Sequence, residues 1–352
     1  MPLPAALSAP LEVVPSVREV VPLDPSEPYR GQVFHAGHLW LGHSTGTVAD
    51  YRLDARAPCG RLVASAGVPH TVEFLHPFGP GAVLAVGKHH LPRKGWRTYH
   101  TIASVAGRRL RIRTRVMPAA LQVEQFGGSP RAMFFNETGM GRVIRWNGLW
   151  GRALPPRVGF PGTILHCGRW LFVLERNDFR PGHESIARID LARGGIERTF
   201  PGTRRRLTTL LDLEGLPWIA APEAWADRVL LVDRDGNRLA AEIPIEGSPV
   251  EVARLGRCLV VAAQEARTLS FVDLTAPGFP LVARWDLAAA GAALAHIRAL
   301  AVDPDSGNVY LRSPFHARVP DGVAAVTMAV DPHGDTFRAC TGRTAPAAPR
   351  AA

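Results

Sequence analysis

One unit recurs along this chain, and it limits the fold more than any other feature. Residues 250–287 run VEVARLGRCLVVAAQEARTLSFVDLTAPGFPLVARWDL. They read as four short strands, VEVARL, CLVVAAQ, TLSFVDL and PLVARWDL. The breaks fall at Gly256-Arg257, at Glu265-Ala266-Arg267 and at Thr275-Ala276-Pro277-Gly278. Val, Leu and Phe fill the runs, while Gly and Pro punctuate them. No segment is long or periodic enough for a core helix.

Aligned on the glycine that ends its first strand, the unit repeats. QVFHAGHLWLGHS (32–44), TILHCGRWLFVLE (163–175) and EVARLGRCLVVAA (251–263) superpose with Gly37, Gly168 and Gly256 in register. Residues 122–137, 208–223 and 297–314 fit at Gly127, Gly215 and Gly307. A longer hairpin around Gly79 fits within 70–90. Units thus start near 30, 68, 119, 160, 205, 248 and 295, about 40 to 50 residues apart, the repeat of a four-stranded propeller blade. A single blade exposes two apolar faces, and a closed ring buries them. The pattern resembles the seven-bladed YVTN/WD40-like propeller superfamily over nearly the whole chain. The expectation is therefore an all-β, seven-bladed β-propeller with four-stranded antiparallel blades, one domain over 1–342. Residues 10–22 are expected to add a strand to the last blade and close the ring, and 343–352 to be a disordered tail. No GH…WD, kelch or WFTE-type lyase motif occurs, so the resemblance implies fold and not activity.

Composition narrows the function classes. The chain has 352 residues, 46% hydrophobic and 20% charged, which is ample for a large core. No run of 18 apolar residues is present, so no membrane span is expected. No basic start precedes an apolar run at the N-terminus, so no secretory signal is read and a cytoplasmic monomer is expected. Cys59, Cys167, Cys258 and Cys340 are far apart without a CxxC, which argues for buried free thiols in a reducing compartment. The formal net charge is +10, which suits an anionic partner.

Loop length locates function on a rigid scaffold. Connections between second and third strands are long in blades two (88–100), four (175–185) and seven (313–323). They share one face of the ring with the linkers into each next blade. His43, His89, His90 and His316 lie there, as do Glu137, Glu175, Glu223 and Glu265. His70 and His296 start first strands and approach the same face. Imidazoles and carboxylates at one channel mouth suit acid–base work or a divalent metal, although polar residues are also ordinary where strands end in water. Trp96 and Trp225 lie in rim loops, and Trp96 has Arg93, Lys94 and Arg97 beside it. That grouping suits an anionic ligand with an apolar body.

Other features are read as structural. His35 and His166 are repeat-equivalent, but they sit roughly 17–20 Å from the level of His70 and His296, so one ion cannot use both pairs. HAGH (35–38) straddles a tight turn, and DRDGN (233–237) is a hairpin turn. In RRLRIRTRV (108–116), Arg109, Arg111, Arg113 and Arg115 alternate with apolar residues and share one face of an outer strand. Such a row protects an edge or binds a polyanion. No aromatics interleave for base stacking there or near Arg204, Arg205 and Arg206, so nucleic acid is not expected.

Three functions follow. The first is binding of a small or peptidic anionic ligand at the channel mouth by Arg93, Lys94, Trp96, Arg97, Arg176 and Arg180, with Glu223, Trp225 and His316 nearby. The second is a lyase, isomerase or hydrolase at the same mouth. It would use His43, His70, His89 or His296 as base and Glu137 or Glu175 as partner, with metal assistance left open. The third is a protein-interaction scaffold that presents the rim or the arginine row.

Overall fold

The computed structural model describes residues 9–14, 16–21, 29–52, 61–79, 81–91, 95–106, 109–116, 123–129, 132–137, 141–146, 151–155, 157–159, 161–175, 184–199, 206–289, 297, 299–305, 307–312, 326–330 and 335–343. The chain opens with β1 (Leu11–Val13) and β2 (Ser16–Val21). A first sheet follows from β3 (Tyr29–His35), β4 (His38–His43), β5 (Thr47–Arg52) and β6 (Arg61–Gly67). The next contains β7 (Phe74–Pro77), β8 (Ala82–Leu91), β9 (Gly95–Ala106) and β10 (Arg109–Val116). Then come β11 (Val123–Ser129), β12 (Ala132–Glu137), β13 (Arg142–Trp146) and β14 (Gly151–Ala153), and after them β15 (Pro161–Cys167), β16 (Trp170–Glu175), β17 (Ser185–Asp190) and β18 (Ile196–Thr199). In the following sheet β19 (Arg206–Leu207) and β20 (Leu211–Asp212) both pair with β21 (Trp218–Ala224), which leads to β22 (Arg228–Asp233) and β23 (Arg238–Pro244). Next stand β24 (Pro249–Leu255), β25 (Cys258–Ala263), β26 (Thr268–Asp273) and β27 (Leu281–Asp286). The last sheet has β28 (Ala299–Val302), β29 (Val309–Arg312) and β30 (Val326–Val330), and α1 (Asp335–Thr341) ends the described chain.

This is an all-β propeller of antiparallel four-stranded blades. Neighbouring sheets abut in cyclic order: β3 on β7, β7 on β11, β11 on β15, β15 on β20, β21 on β24, β24 on β28, and β28 back on β3. The single N-terminal strand expected over 10–22 is divided. β1 pairs in parallel with β27, Leu11 opposite Ala283, while β2 pairs antiparallel with β30, Ser16 opposite Val330. Pro15, which has no N–H to donate, lies between them in sequence.

The core explains the strand patterns. Each apolar cluster lies between adjacent sheets, not inside one. Phe172, Leu174 and Ile186 meet Ile219, Leu230 and Val232, and Val229, Leu231 and Ile243 meet Leu259, Val261 and Val272. Middle strands therefore have both faces covered, and β17, β25 and β26 are buried along their whole length. Outer strands face water on one side and alternate, as in β10 and β23.

Two sequence expectations are corrected here. Cys258 and Cys340 are not free thiols; they form a disulfide across 82 residues with their Cα atoms 5.1 Å apart. The bond exists because α1 folds back onto the sheet of β24–β27, and Phe337 and Cys340 are buried in its cluster with Trp285 and Val309. Trp285 Nε1–H donates to Thr336 Oγ1 at 3.1 Å, and Arg257 N–H donates to the Cys340 carbonyl at 2.8 Å. Gly256 and Gly307 both take positive φ, and a side chain at either would collide with Cys340 or the Phe337 ring. Cys167 is free and buried, and burial first, then Asp212, pushes its thiol pKa up. The second correction concerns 88–100, which is not an irregular loop. β8 and β9 extend through it as a hairpin, His89 opposite Arg97 and His90 opposite Trp96. Among the described residues no helix is long and apolar enough to cross a membrane.

Candidate functional site

The rim residues separate into those already tied into the fold and those left exposed. Glu175 ends β16 and is buried. Its Oε1 accepts from Gly159 N–H at 2.8 Å and Arg198 Nη2 at 3.1 Å. Its Oε2 accepts from Arg198 Nε at 2.8 Å and from the Ser185 hydroxyl. A carboxylate with that many donors ties β16 to β17 and β18 and has no lone pair to spare for a proton in flight. Glu223 is the last residue but one of β21 and is wholly buried. Arg228 Nε donates to it at 2.7 Å, and Arg228 Nη1 reaches Glu242 at 2.7 Å. Glu137 ends β12 opposite Arg142 in the register. Glu265 lies in the exposed turn after β25, not in the strand-end position of Glu175.

The histidines behave similarly. His70 is buried against Tyr99, ring centroids 5.5 Å apart. Its Nδ1 contacts the Thr71 carbonyl at 2.6 Å, and its Nε2 contacts Thr101 Oγ1 at 2.7 Å. A carbonyl only accepts, so Nδ1 carries the proton and Nε2 accepts from Thr101, whose oxygen lies 2.8 Å from Thr114 Oγ1. Burial, opposed by the Thr71 bond, lowers the His70 pKa. His43 is buried at the end of β4, and His89 is exposed on β8 with its ring edge-on to Tyr99 at 6.4 Å. His35 Nε2 meets the Gly79 carbonyl at 2.6 Å, and His38 Nδ1 meets the buried Asp50 at 2.8 Å. Among the described residues no three His, Cys, Asp or Glu side chains group as metal ligands do. Arg93, Lys94, Arg176, Arg180, His296 and His316 lie outside the described residues, and Trp96 and Arg97 are placed in backbone only.

His100, which sequence reasoning did not single out, is buried edge-on to Trp146 at 5.7 Å, and burial lowers its pKa to about 4. Its folded value lies below the unfolded one near 6.5, so the unfolded chain takes up the proton first. Its contribution is full above pH 6.5 and is lost as pH falls towards 4. By pH 4.5 the expected loss is about 2.5 kcal/mol. Urea midpoints at pH 7.5 and 4.5 check this, and His100→Gln should remove that share of the slope.

Trp225 stands apart. It is 57% exposed on the turn between β21 and β22. Its φ is 60° and that of Asp227 is 51°, conformations that cost a non-glycine residue roughly 1–3 kcal/mol. The turn is held there by its neighbours. Trp225 N–H donates to Ser248 Oγ at 3.0 Å, and Asp227 Oδ1 accepts from the N–H groups of Gly247 and Ser248 at 2.8 and 3.1 Å. The linker into β24 thus latches a strained turn that presents an indole to solvent. The sequence offered one signal for it, a large aromatic residue in a short loop between two strands.

No protein-family model matches the sequence. No curated protein matches it either. Solved structures do resemble the fold. A chain of a crystal structure of a mitotic checkpoint complex aligns with TM-score 0.64 at 8% identity, over 89% of this chain and 94% of that one. The computationally designed Ika8 protein aligns with TM-score 0.58 at 12% identity, over 89% of this chain and 98% of that one. At such identities the likeness is one of fold: this chain is similar to propellers.

Proposed function

We propose that this propeller is a binding scaffold. It holds a peptidic anionic segment on the face where second-to-third strand connections emerge, with Trp225 as the apolar anchor. The observation that carries this is an exposed indole on a strained, latched turn. Tryptophan is a frequent hot-spot residue, and strain kept at a surface position points to use. The rim carboxylates support the same reading. Glu175 and Glu223 are paired internally with Arg198 and Arg228, so neither adds an uncompensated negative charge that would repel an anionic segment. Arg93, Lys94, Trp96, Arg97, Arg176 and Arg180 are assigned to the ligand's negative charge. The structural neighbour that sits in a checkpoint complex supports a protein as the source of the segment. Catalysis is the weaker reading, because Glu175, Glu223 and His70 already spend their polar atoms on the fold.

We read the ring as seven blades, the last completed by β2. The cyclic contacts between neighbouring sheets and the β2–β30 register support this. The cytoplasmic location fits poorly with the Cys258–Cys340 disulfide, since a reducing compartment opens such bonds.

A random peptide library displayed on phage and selected on the protein tests the function. The enriched peptides should lose roughly 30-fold in affinity on Trp225→Ala, with the thermal midpoint unchanged. Peptides that bind Trp225→Ala as well as the parent would overturn the proposal.

A further inference from the structure

The outer edge of β10 is a second surface, away from Trp225. β10 ends its sheet, in the order β10-β9-β8-β7, and no described strand pairs with its far side. Its register with β9 runs unbroken from Arg109 opposite Ala106 to Val116 opposite Tyr99. Val105 N–H donates to the Gly81 carbonyl at 3.2 Å, away from β10. Leu110 opposite Val105 is therefore a non-hydrogen-bonded pair. Alternation then aims the backbone N–H and C=O of Leu110, Ile112 and Thr114 outwards.

The side chains are sorted by the same alternation. Leu110 and Ile112 pack on the cluster of Trp40, Val83 and Ala103, which fixes the strand. Arg109, Arg111 and Arg113 are exposed and make no ion pair among the described residues. They stand about 6.6 Å apart along the strand. Charge on an edge discourages aggregation, but mixed charge would serve, as on β23 with Arg238 and Glu242. Here three charges of one sign, without an ion pair among the described residues, line up beside three backbone positions that no described strand pairs. The chain already adds a strand to an outer edge elsewhere, where β1 lies on β27.

We propose that the edge of β10 accepts an extended acidic peptide segment of another protein as a fifth strand. Acidic residues at every second position would face Arg109, Arg111 and Arg113 in non-hydrogen-bonded pairs. There Cα atoms approach to about 4.5 Å and side chains are closest. The intervening residues would exchange backbone hydrogen bonds with Leu110, Ile112 and Thr114. Backbone pairing supplies affinity and the arginine row supplies register, the usual division in strand addition. A nucleic acid would match the charge but not the backbone pairing.

The test is fluorescence anisotropy with a labelled Val-Glu-Val-Glu-Val-Glu-Val peptide at fixed salt. Three comparisons are expected to weaken binding at least tenfold. One is the same composition with its glutamates in a block, another is the alternating peptide N-methylated at its valines, and the last is the protein with Arg111→Glu and Arg113→Glu. Trp225→Ala should leave this binding unchanged, so the two surfaces fail separately. Equal binding of the block or N-methylated peptide would overturn strand addition in favour of plain charge attraction. Tighter binding of a single-stranded oligonucleotide would replace the peptide with nucleic acid.

Discussion

Replacing Arg228 with alanine is expected to cost about 3–5 kcal/mol of folding stability. The pair it forms with Glu223 is buried, with the side chains 8% and 0% exposed and the Nε–Oε2 distance 2.7 Å. Removing the guanidinium leaves a buried carboxylate at the β21–β22 turn without that counter-charge. It also releases Glu242 on the outer strand. Burial alone would lower the Arg228 pKa, but its bonds to Glu223 and Glu242 leave it raised. Urea denaturation of Arg228→Ala against parent measures the loss. Arg238→Ala is the control, because Arg238 is 79% exposed and 3.6 Å from Asp233, and screened pairs of that kind contribute less than about 1 kcal/mol. Equal effects from the two would mean that the buried pair does not hold β21 to β22.

The disulfide is expected to matter on a similar scale. Closing a loop of 82 residues removes about 4.5 kcal/mol of chain entropy from the unfolded state. For a chain of 352 residues that corresponds to a fall in thermal midpoint of about 6 °C on reduction or in Cys258→Ala. Scanning calorimetry with and without dithiothreitol checks the figure, and Cys258→Ala should make the protein indifferent to reductant. An unmoved midpoint in the parent would show that α1 docks without the bond, held by Phe337, Thr336 and the Cys340 carbonyl.

The strands and the propeller architecture were legible because each four-strand unit is local. A four-strand unit needs turn residues at fixed offsets, and the turns after His35, Cys167 and Leu255 carry glycine where the sequence alignment put it. Gly127 is an exception: it lies inside β11, and the turn comes later. The middle strands were legible as apolar runs because neighbouring blades cover both faces. What could not be read is what depends on strands meeting across a blade or between blades. Glu175 finds Arg198 after 23 residues, and nothing in either sequence neighbourhood announces it. Glu175 looked like a catalytic partner, and Glu223 like a ligand-binding residue, for that reason. α1 has seven residues, too few to show a helical face, so the seat it finds on Trp285 and with it the disulfide were hidden. His100 looked like one more strand histidine, and burial first, then the charges of Arg115 and His70, makes it titrate low.

The most direct test asks whether recognition and scaffolding are carried by different rim residues. A selected peptide is titrated by calorimetry against Trp225→Ala and His70→Asn, each with its thermal midpoint. Loss of affinity in Trp225→Ala at an unmoved midpoint, with a lowered midpoint but intact affinity in His70→Asn, is the predicted result. The opposite pattern, binding lost through His70 and untouched by Trp225, would contradict the account.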